Sequence, residues 1–236
     1  MIKIKNLFKT FTKFELCLWF CSLTIVAVTS IMSNDANIIS VIASLLGVSS
    51  IIFIAKGLPL GQLLVILFSV LYAIISWRFA YYGEMITYVF MTLPIAVISF
   101  ITWLRHPFKK GESEVSVART TPKKLVIVSI LSVAVTVAFY FLLKYFNTAN
   151  LVFSTLSITT SFLAASLSYF RSPYFPLAYA LNDLVLIVLW CFVALNDVSY
   201  FTMVICFAVF FVNDIYAFIS WIRMYKRQEK ERKVKG

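Results

Sequence analysis

Residues 199–223 read SYFTMVICFAVFFVNDIYAFISWIR, Ser199 to Arg223, with Asn213 and Asp214 near the middle of an apolar run. An aspartate at the centre of a membrane span costs roughly 2.5–3.5 kcal/mol on the insertion scale, and each Leu, Ile, Phe or Val returns about 0.3–0.6 kcal/mol. The stretch holds twelve Ile, Val and Phe residues, which together return on the order of 5 kcal/mol. It can therefore enter a bilayer with its aspartate aboard. Polar groups kept in a span at such a cost face the bundle interior and mark pathways. The stretch predicts an all-α polytopic membrane protein with something polar at its centre.

The rest of the chain agrees. It is 61% hydrophobic, 17% aromatic and only 13% charged, with a mean hydropathy of +0.93. A soluble domain of this length could not hide so much apolar surface. Apolar runs of membrane length recur from end to end. They predict eight helices, over residues 14–32, 37–56, 59–80, 84–104, 124–146, 150–171, 174–195 and 199–223. A β-barrel would alternate polar and apolar residues over shorter segments. Lys3, Lys5, Lys9 and Lys13 precede the first run. No small-residue cleavage site follows it, so it reads as an uncleaved helix.

The formal net charge is +11. On an eight-helix map, 19 of the 21 lysines and arginines fall on the side of the termini, and only Arg78 and Lys144 fall on the other. The positive-inside rule then puts both termini in the cytoplasm of a cell membrane. The basic tail reads as a topology determinant lying near anionic lipid rather than as a nucleic-acid site. Cys17, Cys21, Cys191 and Cys206 all lie within spans and suit small buried hydrophobes. Nothing in the chain calls for a metal, a cofactor or a catalytic residue. His106, Glu112 and Glu114 sit on a flexible polar loop, and no P-loop is present. The chain reads as no enzyme.

SFITWLR at Ser99–Arg105 and AFISWIR at Ala217–Arg223 share Phe, Ile, Trp and Arg. Asn37–Lys56 and Asn150–Arg171 both start with Asn, carry Ser or Thr, and end in a base. Two three-helix repeats in one orientation need an extra helix to cross the membrane between them. The predicted division is an N-terminal segment and extra helix, 1–36; a first repeat, 37–105; a loop and linker helix, 106–149; a second repeat, 150–225; and a basic tail, 226–236. Parallel repeats of this kind place a transport site between them near the midplane.

Helical spacing puts Asn213, Tyr216 and Ser220 on one face, with Asp214, Phe218 and Trp221 beside it. The preceding span offers Tyr179, Asn182, Asp183 and Trp190; Tyr72 and Trp77 lie in the third, and Thr159 in a hydroxyl-rich sixth. Amides, hydroxyls and aromatic faces suit a flat, polar, neutral or cationic ligand. Asn182 and Asn213 read equally well as ligand contacts and as hydrogen bonds joining helices. Asp183 and Asp214, the only carboxylates placed deep in the spans, read as structural or gating partners, as do Trp103 and Trp221.

YGEMI at Tyr82–Ile86, RSPYFPLAYALNDLVLIVLW at Arg171–Trp190 and FVNDIYAFISWIRM at Phe211–Met224 resemble the PnuC family of bacterial vitamin transporters. The likeness spans roughly residues 37–225. It implies a nicotinamide riboside carrier working by facilitated diffusion, with the substrate trapped by intracellular phosphorylation. Related carriers take thiamine, riboflavin and deoxynucleosides, and a similar family forms homotrimers. Asn213 and Tyr216 match the family's N-x-x-Y stretch before a terminal Trp, here Trp221. Thr87 stands where many members have Asn, and Ala96 where many have Gln. Phe175 and Tyr179 occupy the neighbourhood of a W-x-x-W.

Overall fold

The computed structural model describes residues 11–32, 38–78, 82–148, 150–195, 198 and 201–235. Lys3, Lys5, Lys9, Asn37 and the expected helix ends at 79–80 and 199–200 lie outside the described residues. Among the described residues eight helices follow one another: α1 (Lys13–Met32), α2 (Ile38–Ala55), α3 (Pro59–Arg78), α4, α5 (Pro122–Tyr145), α6 (Leu151–Tyr169), α7 (Phe175–Ala194) and α8 (Phe201–Lys235). α4 is a broken helix built from Tyr82–Thr87, a π-helical turn at Tyr88–Thr92, and Leu93–Arg105. Seven of these helices are long and apolar enough to cross a membrane, and a shorter apolar helix, Val41–Ala55, lies within α2. Helices suit this setting because lipid offers the backbone no hydrogen-bond partners.

Local chemistry sets the helix ends. Thr12 and Glu15 form a capping box: the Thr12 N–H donates to Glu15 Oε2 at 2.6 Å, and the Glu15 N–H to Thr12 Oγ1 at 3.2 Å. α2 and α6 close in the same way. Gly57 (φ 66) and Arg171 (φ 55) are left-handed, and the next residues, Leu58 and Ser172, donate back to the Phe53 and Leu167 carbonyls. The α2–α3 corner is tight enough to need Gly61, where a Cβ would meet the Ile54 backbone nitrogen at 2.7 Å. The break in α4 follows from Pro94, whose ring would clash with the Phe90 carbonyl in a regular helix. The chain widens instead, and the Leu93 N–H reaches the Tyr88 carbonyl.

Two segments depart from the sequence reading. α8 runs unbroken for 35 residues, so the expected tail from residue 226 continues the last span as helix. The expected flexible loop is an ordered strap. Val115 and Val117 are fully buried, and the strap donates to the carbonyls of both left-handed residues: Val115 N–H to Gly57 at 2.9 Å, and Ala118 N–H to Arg171 at 3.0 Å. Gln228, on the extension of α8, accepts from the Val117 N–H at 2.8 Å and donates to the Val115 carbonyl at 3.0 Å. Arg227 pairs with Glu114.

Candidate functional site

On the side of the termini the bundle is shut by aromatic rings. Trp103 of α4, Trp221 of α8 and Phe175 of α7 are fully buried, with ring centroids 5.2 Å (Trp103–Trp221), 4.6 Å (Phe175–Trp221) and 6.0 Å (Trp103–Phe175) apart. Trp103 Nε1 donates to the Ser168 carbonyl at 3.0 Å, and Trp221 Nε1 to the Ile54 carbonyl at 2.8 Å. Ser168 and Ile54 each stand three residues before a left-handed helix end. Gln62 Nε2 adds a bond to Ser168 Oγ at 3.0 Å. Tyr179 packs on Phe175 at 6.1 Å and belongs to this closure.

Asn182 lies seven residues beyond Phe175, about 10 Å further along α7. It borders a cleft that is open at its mouth. Thr87, Tyr88 and Thr92 line it from α4, so the π-helical turn faces the cleft, a placement common at functional sites. Ser154, Ser157 and Ser161 line it from α6, Leu186 and Leu189 from α7, and Phe207 from α8. Thr148, in the turn between α5 and α6, sits at the rim away from the termini. Asn182 Oδ1 accepts from Thr160 Oγ1 at 2.7 Å and Ser161 Oγ at 2.9 Å. With that oxygen taken, its amide nitrogen is the atom left to donate.

The structure thus brings Asn182 and Thr87 to one cleft and sends other candidates elsewhere. Tyr72 packs against Tyr88 with ring centroids 4.4 Å apart and planes tilted by 46°, and does not itself line the cleft. Thr159 bonds Thr136 of α5 at 2.8 Å and joins helices. Trp190 is buried but does not line the cleft, and Trp77 is 61% exposed. Asp183 of α7 and Asp214 of α8 are both buried, and Asp183 Oδ2 is without a hydrogen-bond partner; neither lines the cleft. Asn213 and Tyr216 turn towards α1. Asn213 Nδ2 donates to Ser22 Oγ at 2.9 Å, and Tyr216 Oη to Glu15 Oε1 at 2.6 Å.

Glu15 itself escaped the sequence reading. Its side chain is 3% exposed and pairs with Lys56 Nζ at 3.0 Å, so the two aspartates are not the only buried carboxylates in the helices. The signal was present as T-x-x-E at Thr12–Glu15, a lone acid among lysines. Tyr88 and Thr92 were also missed. Pro94 was their clue, since proline inside a span predicts a local break.

A many-helix bundle, closed by aromatic rings at one end and opening at the other into a polar cleft, defines a membrane transporter by architecture. A family model described as nicotinamide mononucleotide transporter matches residues 37–223, and the chain belongs to that family. It is 25% identical over 228 residues to the nicotinamide riboside transporter PnuC of Neisseria mucosa, covering 94% of this chain and 86% of the relative. Its fold matches the crystal structure of the vitamin B3 transporter PnuC with a TM-score of 0.76 at 23% identity, over 92% of this chain and 94% of the other.

Proposed function

We propose that the protein carries nicotinamide riboside across the bacterial cytoplasmic membrane by facilitated diffusion. The observation that carries this reading is the cleft lining, which among the described residues combines hydroxyls, a carboxamide and a tyrosine ring with aliphatic side chains and Phe207 and includes no charged side chain. Hydroxyls and amides suit a ribose and a carboxamide. The face of Tyr88 suits a pyridinium ring, which is itself a cation. A nucleotide would bring a phosphate of nearly two negative charges, which calls for Arg or Lys at the site. The riboside of the Neisseria relative's name therefore fits the cleft better than the mononucleotide of the family description. Phosphorylation after entry would give a product the cleft does not suit, which keeps the substrate inside. The protein then acts as a carrier and not as an enzyme.

The two-repeat division, 37–105 and 150–225 with α5 as the crossing helix, is supported by pairing. Trp103 and Trp221 each reach across to a carbonyl in the first helix of the other repeat, and Gly57 and Arg171 end those helices alike. The 19-to-2 split of basic residues supports cytoplasmic termini. A homotrimer rests on the family resemblance.

Titration calorimetry on the purified protein tests the cargo. The riboside should bind, and the mononucleotide should bind at least about a hundredfold more weakly, because its phosphate would lose water without gaining a base. Equal or tighter binding of the mononucleotide overturns the reading. Binding of thiamine, riboflavin or a deoxynucleoside in its place would keep the carrier and change the cargo.

A further inference from the structure

The strap ends beside two guanidinium groups that have no carboxylate partner among the described residues. Arg171 donates from Nη1 to the Ser116 carbonyl at 3.3 Å. Arg232 donates from Nη2 to the Ser116 hydroxyl at 2.8 Å and to the Val117 carbonyl at 2.9 Å. Two like charges therefore converge on one serine. The ion pairs among the described residues use other bases, namely Lys56, Lys109 and Arg227. The shortage of acid is built into the sequence, which has no Asp or Glu between Glu114 and Asp183. That stretch supplies the end of the strap, α5, α6 and Arg171.

Further observations mark the spot as under-neutralised. Arg171 Nε is buried without a hydrogen-bond partner. Burial, and then the nearby charge of Arg232, pull the Arg171 guanidinium below its ordinary pKa. An arginine carries five N–H donors, most of which these contacts leave unused. Two helix starts adjoin the pair: α5 at Pro122 and α7 at Phe175, neither with an acid in its first turn. The segments leading into them are joined by the Thr120 and Ser172 hydroxyls at 2.6 Å. Helix starts add partial positive charge and favour anions.

We infer that Arg171 and Arg232 form a binding site for a phosphate group, at the junction of the strap, the end of α6 and the extension of α8. A tetrahedral, negatively charged group can take charge-assisted hydrogen bonds from both guanidiniums and supply the charge that no carboxylate provides. Once bound, it staples α6 to α8 across Ser116. The site lies on the terminus side, apart from the cleft of α4, α6 and α7, and does not depend on which cargo the cleft carries. The phosphate can come from an anionic lipid headgroup or from a free phosphate ester.

The test uses the full chain in phosphatidylcholine nanodiscs. Inorganic phosphate is titrated at constant ionic strength while thermal unfolding is followed, since binding to the folded form raises the Tm. The Tm should rise and saturate. Arg171→Gln and Arg232→Gln should each weaken the response at least about tenfold, the loss expected for one charge-assisted hydrogen bond. Lys230→Gln removes an equal charge from an exposed position of the same helix and should leave the response within about twofold. Arg232 is exposed, so its variant keeps the test valid if Arg171→Gln fails to fold. Adding phosphatidylglycerol separates the sources: a suppressed response identifies the lipid headgroup, and an unchanged one a free phosphate ester. A wild-type response that is absent or unsaturable, or one that all three variants share equally, overturns the site.

Discussion

Tyr216→Phe asks whether the polar stripe of α8 serves the substrate or serves α1. The Tyr216 hydroxyl donates to Glu15 Oε1 at 2.6 Å, and the same carboxylate accepts from Lys56 Nζ at 3.0 and 3.1 Å. Deleting the hydroxyl removes one hydrogen bond to a charged acceptor, worth about 1.5–3 kcal/mol. Glu15→Ala removes more. It strips Tyr216 and Lys56 of their acceptor, about 3–5 kcal/mol for a buried pair, and takes the Thr12 cap with it, about 1 kcal/mol. Lys56 keeps 22% of its side chain exposed, which favours the lower end of that range. In the double variant the shared bond is counted once, so the two changes should fall short of additivity by about 1.5–3 kcal/mol. Denaturant unfolding in detergent reads the stability, and calorimetry with nicotinamide riboside reads the site. Tyr216→Phe should lose stability with its Kd within about twofold of the parent. An affinity weakened about tenfold or more at unchanged stability would refute the assignment and put Tyr216 in the cleft.

Three further outcomes are expected. Asn182→Ala should weaken binding of the riboside by about 5- to 150-fold, as for one buried hydrogen bond, while stability falls by only about 1 kcal/mol; Thr160 can turn back to the Leu156 and Ser157 carbonyls at 3.1 Å. Trp103→Phe and Trp221→Phe each orphan a donor-to-carbonyl bond in the aromatic closure and should lower stability by similar amounts, about 1–3 kcal/mol in thermal unfolding; a large difference between them would break the pairing of the repeats. Uptake of unmodified riboside into vesicles should stop at equal concentrations on both sides whatever the pH difference, whereas accumulation abolished by a protonophore would make Asp183 or Asp214 a coupling group.

The helices were legible because hydropathy and helix length are sequence properties, and the terminal tryptophans were legible because the repeat marked them. Partners were not. Spacing fixes the face a residue occupies on its own helix, but not the helix that face meets. Asn182 and Asn213 have the same chemistry and similar depth in successive spans. One reaches the hydroxyls of α6 beside the cleft, and the other reaches Ser22 of α1. That difference depends on α1 lying against α8, a contact between residues 191 positions apart. The strap was misread for a related reason. Val115 and Val117 are too few to signal a core by composition, and they become buried only because α8 outlasts the membrane and brings Gln228 to them.

The two ends of the bundle use different chemistry because they have different tasks. Closure on the terminus side rests on rings and on indole-to-carbonyl bonds, each holding a helix end of definite geometry. Trp103 Nε1, Trp221 Nε1 and Gln62 Nε2 each have an acceptor within the protein. In the cleft, Ser157 Oγ donates to the Ser154 carbonyl at 2.8 Å and Ser161 Oγ to Asn182 Oδ1 at 2.9 Å, and such hydroxyls keep lone pairs to accept with. Asn182 keeps its amide nitrogen to donate with. A site so composed gains from a ligand that brings both donors and acceptors and no net negative charge. A nucleoside meets that description and its phosphate ester does not.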